Sequence, residues 1–203
     1  MTDLTVWWAL ARDTDLAREL LVRAVARQLG IPPPRVRIVE VCPLCGSSTH
    51  GRPTLAEPRG TLLHLSLSRA PGLAAVAVTE AGPVGVDLEE VARTAFAGFA
   101  GVALHPAEQA DTAEERGCVW TRKEAFLKAV GTGVTLDPRT VRVSGPDQPP
   151  ALLEAPAGLL TTPVWIEYLP LPTGYAGAAA VVASTRPRLR VRRVDTAGSS
   201  RRA

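Results

Sequence analysis

Only two stretches of this chain carry a sustained, capped helical period, and each lies among short runs suited to strands; no other feature limits its possible folds as much. In the first, Leu16, Leu20, Leu21, Ala24, Val25 and Leu29 recur at a spacing of about 3.6, with Asp13 or Thr14 available as N-cap. Gly30 and then Pro32-Pro33-Pro34 end it. The second runs over residues 119–130 and stops at Gly131-Thr132-Gly133. Residues 91–115 read as a less regular helical region.

The strand candidates are residues 4–9, 36–41, 62–67, 73–79, 84–89, 141–143, 164–169 and 175–184. A turn-rich loop fills 42–60, and Ser68-Arg69-Ala70-Pro71-Gly72 reads as a connection. Gly82-Pro83 is the natural boundary between halves. One strong helix with several strands on each side of it favours α+β over a parallel βαβ array. The expected division is a first lobe over 1–82, a second over 83–185, and a partly disordered basic tail over 186–203.

With 203 residues, 46% of them apolar and 21% charged, the chain can bury a real core. No apolar run reaches the roughly 18 residues a membrane span needs. Met1-Thr2-Asp3 opens on an acid, unlike a secretory leader. Three cysteines, Cys42, Cys45 and Cys118, are an odd count that fits a reducing compartment. The expectation is a cytoplasmic protein.

Charge is unevenly spread. The net +3 includes seven arginines and one acid, Asp195, after position 185, a local +6 that leaves about −3 for the rest. A mildly acidic body does not suit nucleic acid, so the tail reads as a solvated terminus or a weak polyanion contact. Of the 23 basic residues only two are lysines, Lys123 and Lys128, five positions apart. They mark places where a compact ammonium, as opposed to a flat guanidinium, is needed.

Asp87 and Glu89 are one residue apart on a strand, so both carboxylates leave the same face while Val86 and Leu88 leave the other. Such a pair is either a solvated strand end or a site for a hard cation such as Mg²⁺. On the second helix Trp120, Glu124 and Lys128 share a stripe at i, i+4 and i+8.

Gly85-Val86-Asp87-Leu88-Glu89, followed by Trp120-Thr121-Arg122-Lys123-Glu124-Ala125-Phe126-Leu127-Lys128-Ala129-Val130-Gly131, resembles the two signature motifs of the surfactin-synthetase-type phosphopantetheinyl transferases. Weaker similarity covers Leu104-His105-Pro106-Ala107-Glu108, Gly51-Arg52-Pro53 and Leu65-Ser66-Leu67-Ser68. The resemblance implies two similar lobes in pseudo-twofold arrangement, with coenzyme A between them. It implies transfer of 4'-phosphopantetheine from coenzyme A to a serine of an apo acyl or peptidyl carrier protein, by a monomer. Asp87, Glu89 and Glu124 would hold magnesium, and Lys123 and Lys128 would meet the phosphates. Arg52, Ser68 and Arg69 would also contact the coenzyme. Catalysis would fall to Glu124, Lys128 and Asp87, with Glu124 accepting the serine proton.

The chain departs from the family in having Ser68-Arg69 where Ser-His is usual, which keeps a cation but changes its shape. It is also shorter between Trp8 and Leu16, and has Thr14-Asp15 where a basic pair is expected. Cys42, Cys45 and His50 are spaced either as half a zinc site, with Cys118 or His64 to complete it, or as a turn with two reduced thiols. The rival functions are a non-catalytic protein of this fold that binds coenzyme A or a carrier, and nucleic-acid binding through the arginine tail.

Overall fold

The computed structural model describes residues 2–10, 15–41, 46–47 and 51–195. Along the chain come β1 (Asp3–Leu10), α1 (Leu16–Leu29), β2 (Arg37–Val41), β3 (Arg52–Glu57), β4 (His64–Ala70), β5 (Leu73–Thr79) and β6 (Val84–Glu90). There follow α2 (Phe99–Ala103), α3 (Ala113–Val130), β7 (Arg142–Val143), β8 (Leu152–Glu154), β9 (Val164–Tyr168), β10 (Tyr175–Val182) and β11 (Arg188–Arg193).

Two sheets form the centre, one in the order β11-β1-β5-β4 and the other β6-β10-β9, with two short ribbons, β2-β3 and β7-β8, beside them. The period-2 alternation of β5 explains the layering. Val76 and Val78 pack under α1 with Leu21, Val25 and Leu65. Leu73, Ala75 and Ala77 leave the opposite face and meet Val84, Val86, Leu88, Ala179 and Val181 of the second sheet. The outer face of that second sheet presents Ala178 and Ala180 of β10 and Ile166 of β9 to Val119, Ala125 and Phe126 of α3. The layers are therefore α1, first sheet, second sheet, α3, a mixed α+β arrangement. Each fully buried Leu or Phe in these cores is worth roughly 1.5–3 kcal/mol.

Several expectations change. The loop expected over 42–60 contains β3, which pairs antiparallel with β2. The connection expected at 68–72 is mostly strand, because β4 continues through Ala70 opposite β5, so Ser68 lies in a ladder. The region 91–115 holds one 3-10 turn and the five-residue α2 before α3 begins at Ala113. That earlier start has a cause in the capping box: Thr112 Oγ1 accepts from the Glu115 N–H at 3.2 Å, and Glu115 Oε2 accepts from the Thr112 N–H at 3.0 Å. Arg188–Arg193, part of the expected tail, is a strand running parallel to β1. Leu189 and Val191 alternate with its arginines and pack on the inter-sheet core. No described helix is long and apolar enough to cross a membrane.

Candidate functional site

At Gly85 the backbone of β6 lies directly against α3. A Cβ there would overlap the Ala125 carbonyl oxygen and lie 2.6 Å from the Ala129 nitrogen and 2.8 Å from Lys128 Cβ. Only a residue without a side chain lets the helix lie on the strand backbone at this point. Two residues further along the same face, Asp87 comes within reach of Lys128.

Lys128 Nζ donates to Asp87 Oδ1 at 2.6 Å, to Ser68 Oγ at 3.1 Å and to the Val86 carbonyl at 3.1 Å. The Ser68 hydroxyl donates to the same Asp87 Oδ1 at 2.8 Å and accepts from the Leu88 N–H at 3.3 Å. Two residues back, Ser66 Oγ accepts from the Val86 N–H at 3.0 Å. Alternate serines of β4 thus take alternate amides of β6, joining the edges of the two sheets and holding Asp87 beside the lysine. The Asp87 side chain is 8% exposed and that of Lys128 30%.

Glu124 lies one helical turn before Lys128, and among the described residues no group donates a hydrogen bond to it. Burial first, then the charges of Asp87 and Glu89, pushes its carboxyl above the usual range, with Lys128 opposing. Glu89 accepts from the Glu90 N–H at 3.0 Å and lies 3.4 Å from Arg93 Nε. Burial raises it as well, with Asp87 and Glu90 adding to the effect. The acids expected to converge therefore feel one another's fields. Among the described residues, however, no three His, Cys, Asp or Glu side chains are gathered so as to hold a metal ion. The donor chemistry itself fits a hard dication, since three carboxylates in a partly dry setting are short of positive charge.

Lys123 is elsewhere. Its ammonium is fully buried and donates to Glu108 Oε2 at 2.6 Å, the Ala103 carbonyl at 2.7 Å and the Pro138 carbonyl at 3.0 Å. With all three protons engaged it has none left for a phosphate, so the expectation that Lys123 meets the coenzyme is corrected to a structural role. Glu108 also accepts from the His105 and Val143 N–H groups, at 2.8 and 2.7 Å. This one buried pair ties α2, α3 and β7 together.

Arg52 opens β3, and its Nη2 donates to the Val84 carbonyl at 3.3 Å. Val84 is three residues, or roughly 10 Å, along β6 from Asp87. The other terminal nitrogen of Arg52 overlies Gly131, the left-handed residue with φ 78° that ends α3. Arg69 is exposed and alternates to the face of β4 opposite Ser68, so the pleat does not bring it to Asp87. Trp120 sets its ring edge against Phe99 at 6.3 Å and belongs to the core around α3.

Sequence reasoning did not assign roles to Ser66, Glu108 or Thr132. Polar residues alternating with leucines in Ser66-Leu67-Ser68 were the signal for the first. The hydroxyl oxygen of Thr132, next to Gly131, is buried without a hydrogen-bond partner. Cys42, Cys45 and His50, the suggested zinc ligands, lie outside the described residues.

Residues 83–176, just under half of the chain, match the model of the 4'-phosphopantetheinyl transferase superfamily. The matched stretch includes β6 and α3, and with them Asp87, Glu89, Glu124 and Lys128, while Arg52, Ser68 and Arg69 precede it. No curated protein matches the chain. The second part of the protein is thus similar to a transferase superfamily whose general chemistry is phosphopantetheinyl transfer.

Proposed function

We propose that this protein is a phosphopantetheinyl transferase of the surfactin-synthetase type, moving the 4'-phosphopantetheine arm of coenzyme A onto a serine of an apo acyl or peptidyl carrier protein and releasing 3',5'-ADP. One observation carries the reading. In the matched stretch, the Lys128 ammonium and the Asp87 carboxylate meet beside Glu124, a partly buried carboxyl to which no group among the described residues donates a hydrogen bond.

A base needs an open acceptor and a pKa closer to the working pH than an ordinary carboxylate has, and Glu124 meets both conditions. In the proposed step it takes the serine hydroxyl proton as the serine oxygen attacks the β-phosphorus. The phosphorus–oxygen bond to 3',5'-ADP then breaks. Lys128 donates to the phosphoryl oxygens on which charge builds. Asp87, Glu89 and Glu124 are the groups that would hold magnesium, which neutralises pyrophosphate charge when bound. Arg52 supplies a second cation for coenzyme phosphate, with Arg69 further out. Ser68, its hydroxyl fully engaged, positions Asp87 and Lys128.

The reading includes two lobes, over 1–82 and 83–185, in pseudo-twofold arrangement with the coenzyme between them. The paired sheets, each with one long helix on its outer face, support it. A monomer in the cytoplasm completes the reading.

Its test mixes the protein with coenzyme A, Mg²⁺ and an apo carrier protein and weighs the carrier by mass spectrometry. The expected result is a metal-dependent gain of one phosphopantetheine at one serine, with kcat falling at least about 100-fold in Glu124→Gln. Turnover within a few-fold of wild type in that variant removes Glu124 as the base.

A further inference from the structure

We propose that β11 is a docking edge: an extended, acid-rich segment of a partner protein pairs along it as the next strand of the first sheet, held by the open backbone groups of Leu189, Val191 and Arg193 and by the charges of Arg188 and Arg192. The inference is independent of the transfer reaction.

Its starting point is the sheet order β11-β1-β5-β4, in which β11 stands at one end. The register against β1 sets which of its groups stay open. The Arg188 N–H donates to the Thr2 carbonyl at 3.0 Å and the Val194 N–H to the Trp8 carbonyl at 2.8 Å, so the even-numbered residues of β11 turn their backbone groups toward β1. The residues between them turn both groups the other way. These are Leu189, Val191 and Arg193, and among the described residues nothing pairs with their outward N–H and C=O.

The side chains alternate with the same period. Leu189 and Val191 pack on the inter-sheet core, and the Arg193 guanidinium carbon lies 5.5 Å from the centroid of the Trp8 ring. Arg188, Arg190 and Arg192 leave the opposite face. Arg190 is neutralised by Asp3 at 2.6 Å. Arg188 and Arg192 are exposed, and among the described residues neither has an acid to pair with. Four of the six residues of β11 are arginine and none is acidic, in a chain that is mildly acidic before position 186.

This arrangement selects its occupant. A second copy of the chain is disfavoured: when β11 pairs antiparallel with itself through its outward residues, the even-numbered residues also fall opposite one another, and arginine meets arginine. Nucleic acid would use the guanidinium groups and leave the backbone donors and acceptors unanswered. An extended acidic peptide uses both sets. Its main chain continues the ladder, and acids at alternate positions come to roughly 5 Å, Cβ to Cβ, from Arg188 and Arg192. The strand β4, which carries Ser68, is the other edge of the same sheet, three strand spacings or roughly 14 Å away. An occupied β11 therefore leaves Asp87 and Lys128 open.

The test follows the fluorescence anisotropy of a labelled eight-residue peptide of alternating glutamate and threonine, titrated with the full chain at low salt. Saturable binding is expected. The double variant Arg188→Glu with Arg192→Glu should lose at least about tenfold in affinity and gain binding of the corresponding lysine and threonine peptide, a gain that a merely loosened fold does not produce. If that variant lacks a cooperative thermal transition, Arg188→Gln with Arg192→Gln takes its place, with a loss of at least about threefold expected. The same acidic peptide N-methylated at every residue keeps its charge and loses its donors, and should bind at least about tenfold more weakly than the parent. Equal binding of the parent, the N-methylated peptide and an eight-nucleotide oligothymidylate would make β11 a general polyanion contact and overturn the strand pairing. No saturable binding by wild type, or unchanged affinity in the folded double variant, overturns the docking edge altogether.

Discussion

At the scale of single residues, the site combines groups that cost stability with groups that restore it. Burial and the neighbouring acids raise the Glu124 carboxyl above its ordinary 4.5, so the fold disfavours its ionised form. A raised carboxyl pKa contributes stability that is complete below the unfolded value and lost as pH climbs through the folded one. Glu124→Gln removes that loss. The variant should melt higher than wild type at pH 7, by roughly 2–4 °C per kcal/mol relieved, and the difference should close near pH 4. Thermal scans across pH measure it, and a Glu124→Gln melting point below that of wild type at neutral pH contradicts the assigned burial. Burial disfavours the charged form of Lys123 as well and lowers its pKa, but here Glu108, itself only 5% exposed, opposes the effect. Lys123→Met should cost about 3–5 kcal/mol in urea unfolding by leaving that carboxylate buried and unpaired. Adding Glu108→Gln should recover a large part, because no buried charge is then left. An additive double variant would show that the two side chains do not interact.

Between elements, the position of α3 decides whether Lys128 reaches Asp87. Gly85 sets it, with the Ala125 carbonyl and Lys128 Cβ against the strand backbone. Gly85→Ala requires the helix to lift or the strand to bend. A loss of about 3 kcal/mol or more is expected, with transfer reduced further than stability alone explains because Lys128 moves with its helix. Chemical denaturation and the carrier-loading assay, run on the same preparation, separate the two effects; unchanged values in both would mean that the contact is looser than described. The β4–β6 seam is the second positioning device. Ser66 and Ser68 stand in for ladder carbonyls, so the seam depends on side chains and has no signature in strand propensity.

Over the whole molecule, the chain returns to its start. After β10 it crosses from the second sheet to the first and adds β11 parallel to β1. Arg186 pairs with Glu167 of β9 at 2.7 Å, and Arg190 with Asp3 of β1 at 2.6 Å, so one segment is anchored to both sheets. Parallel pairing between chain ends is a contact of the highest sequence separation, and it closes only when both sheets are in place. A chain ending at Ser184 should therefore lose several degrees of melting temperature and expose Leu4 and Val6 of the inter-sheet core. Differential scanning calorimetry with a hydrophobic dye reports both changes. An unaltered melting curve would mean that β11 adds nothing to the sandwich.

Local patterning alone determined the two long helices, the alternation that sends Asp87 and Glu89 to one face of β6, and the two positions where lysine was kept. Each of these depends on residues at most a few turns or pleats apart, where spacing translates directly into a shared face. The tertiary structure decided the rest. It sent Lys123 to Glu108 and Lys128 to Asp87, although both lie on one helix, because which face meets which partner depends on where α3 crosses the sheet. It likewise made β11 a strand out of an arginine-rich stretch whose only local signal was Leu189 and Val191, since a parallel edge strand gains its stability from a neighbour more than a hundred positions away.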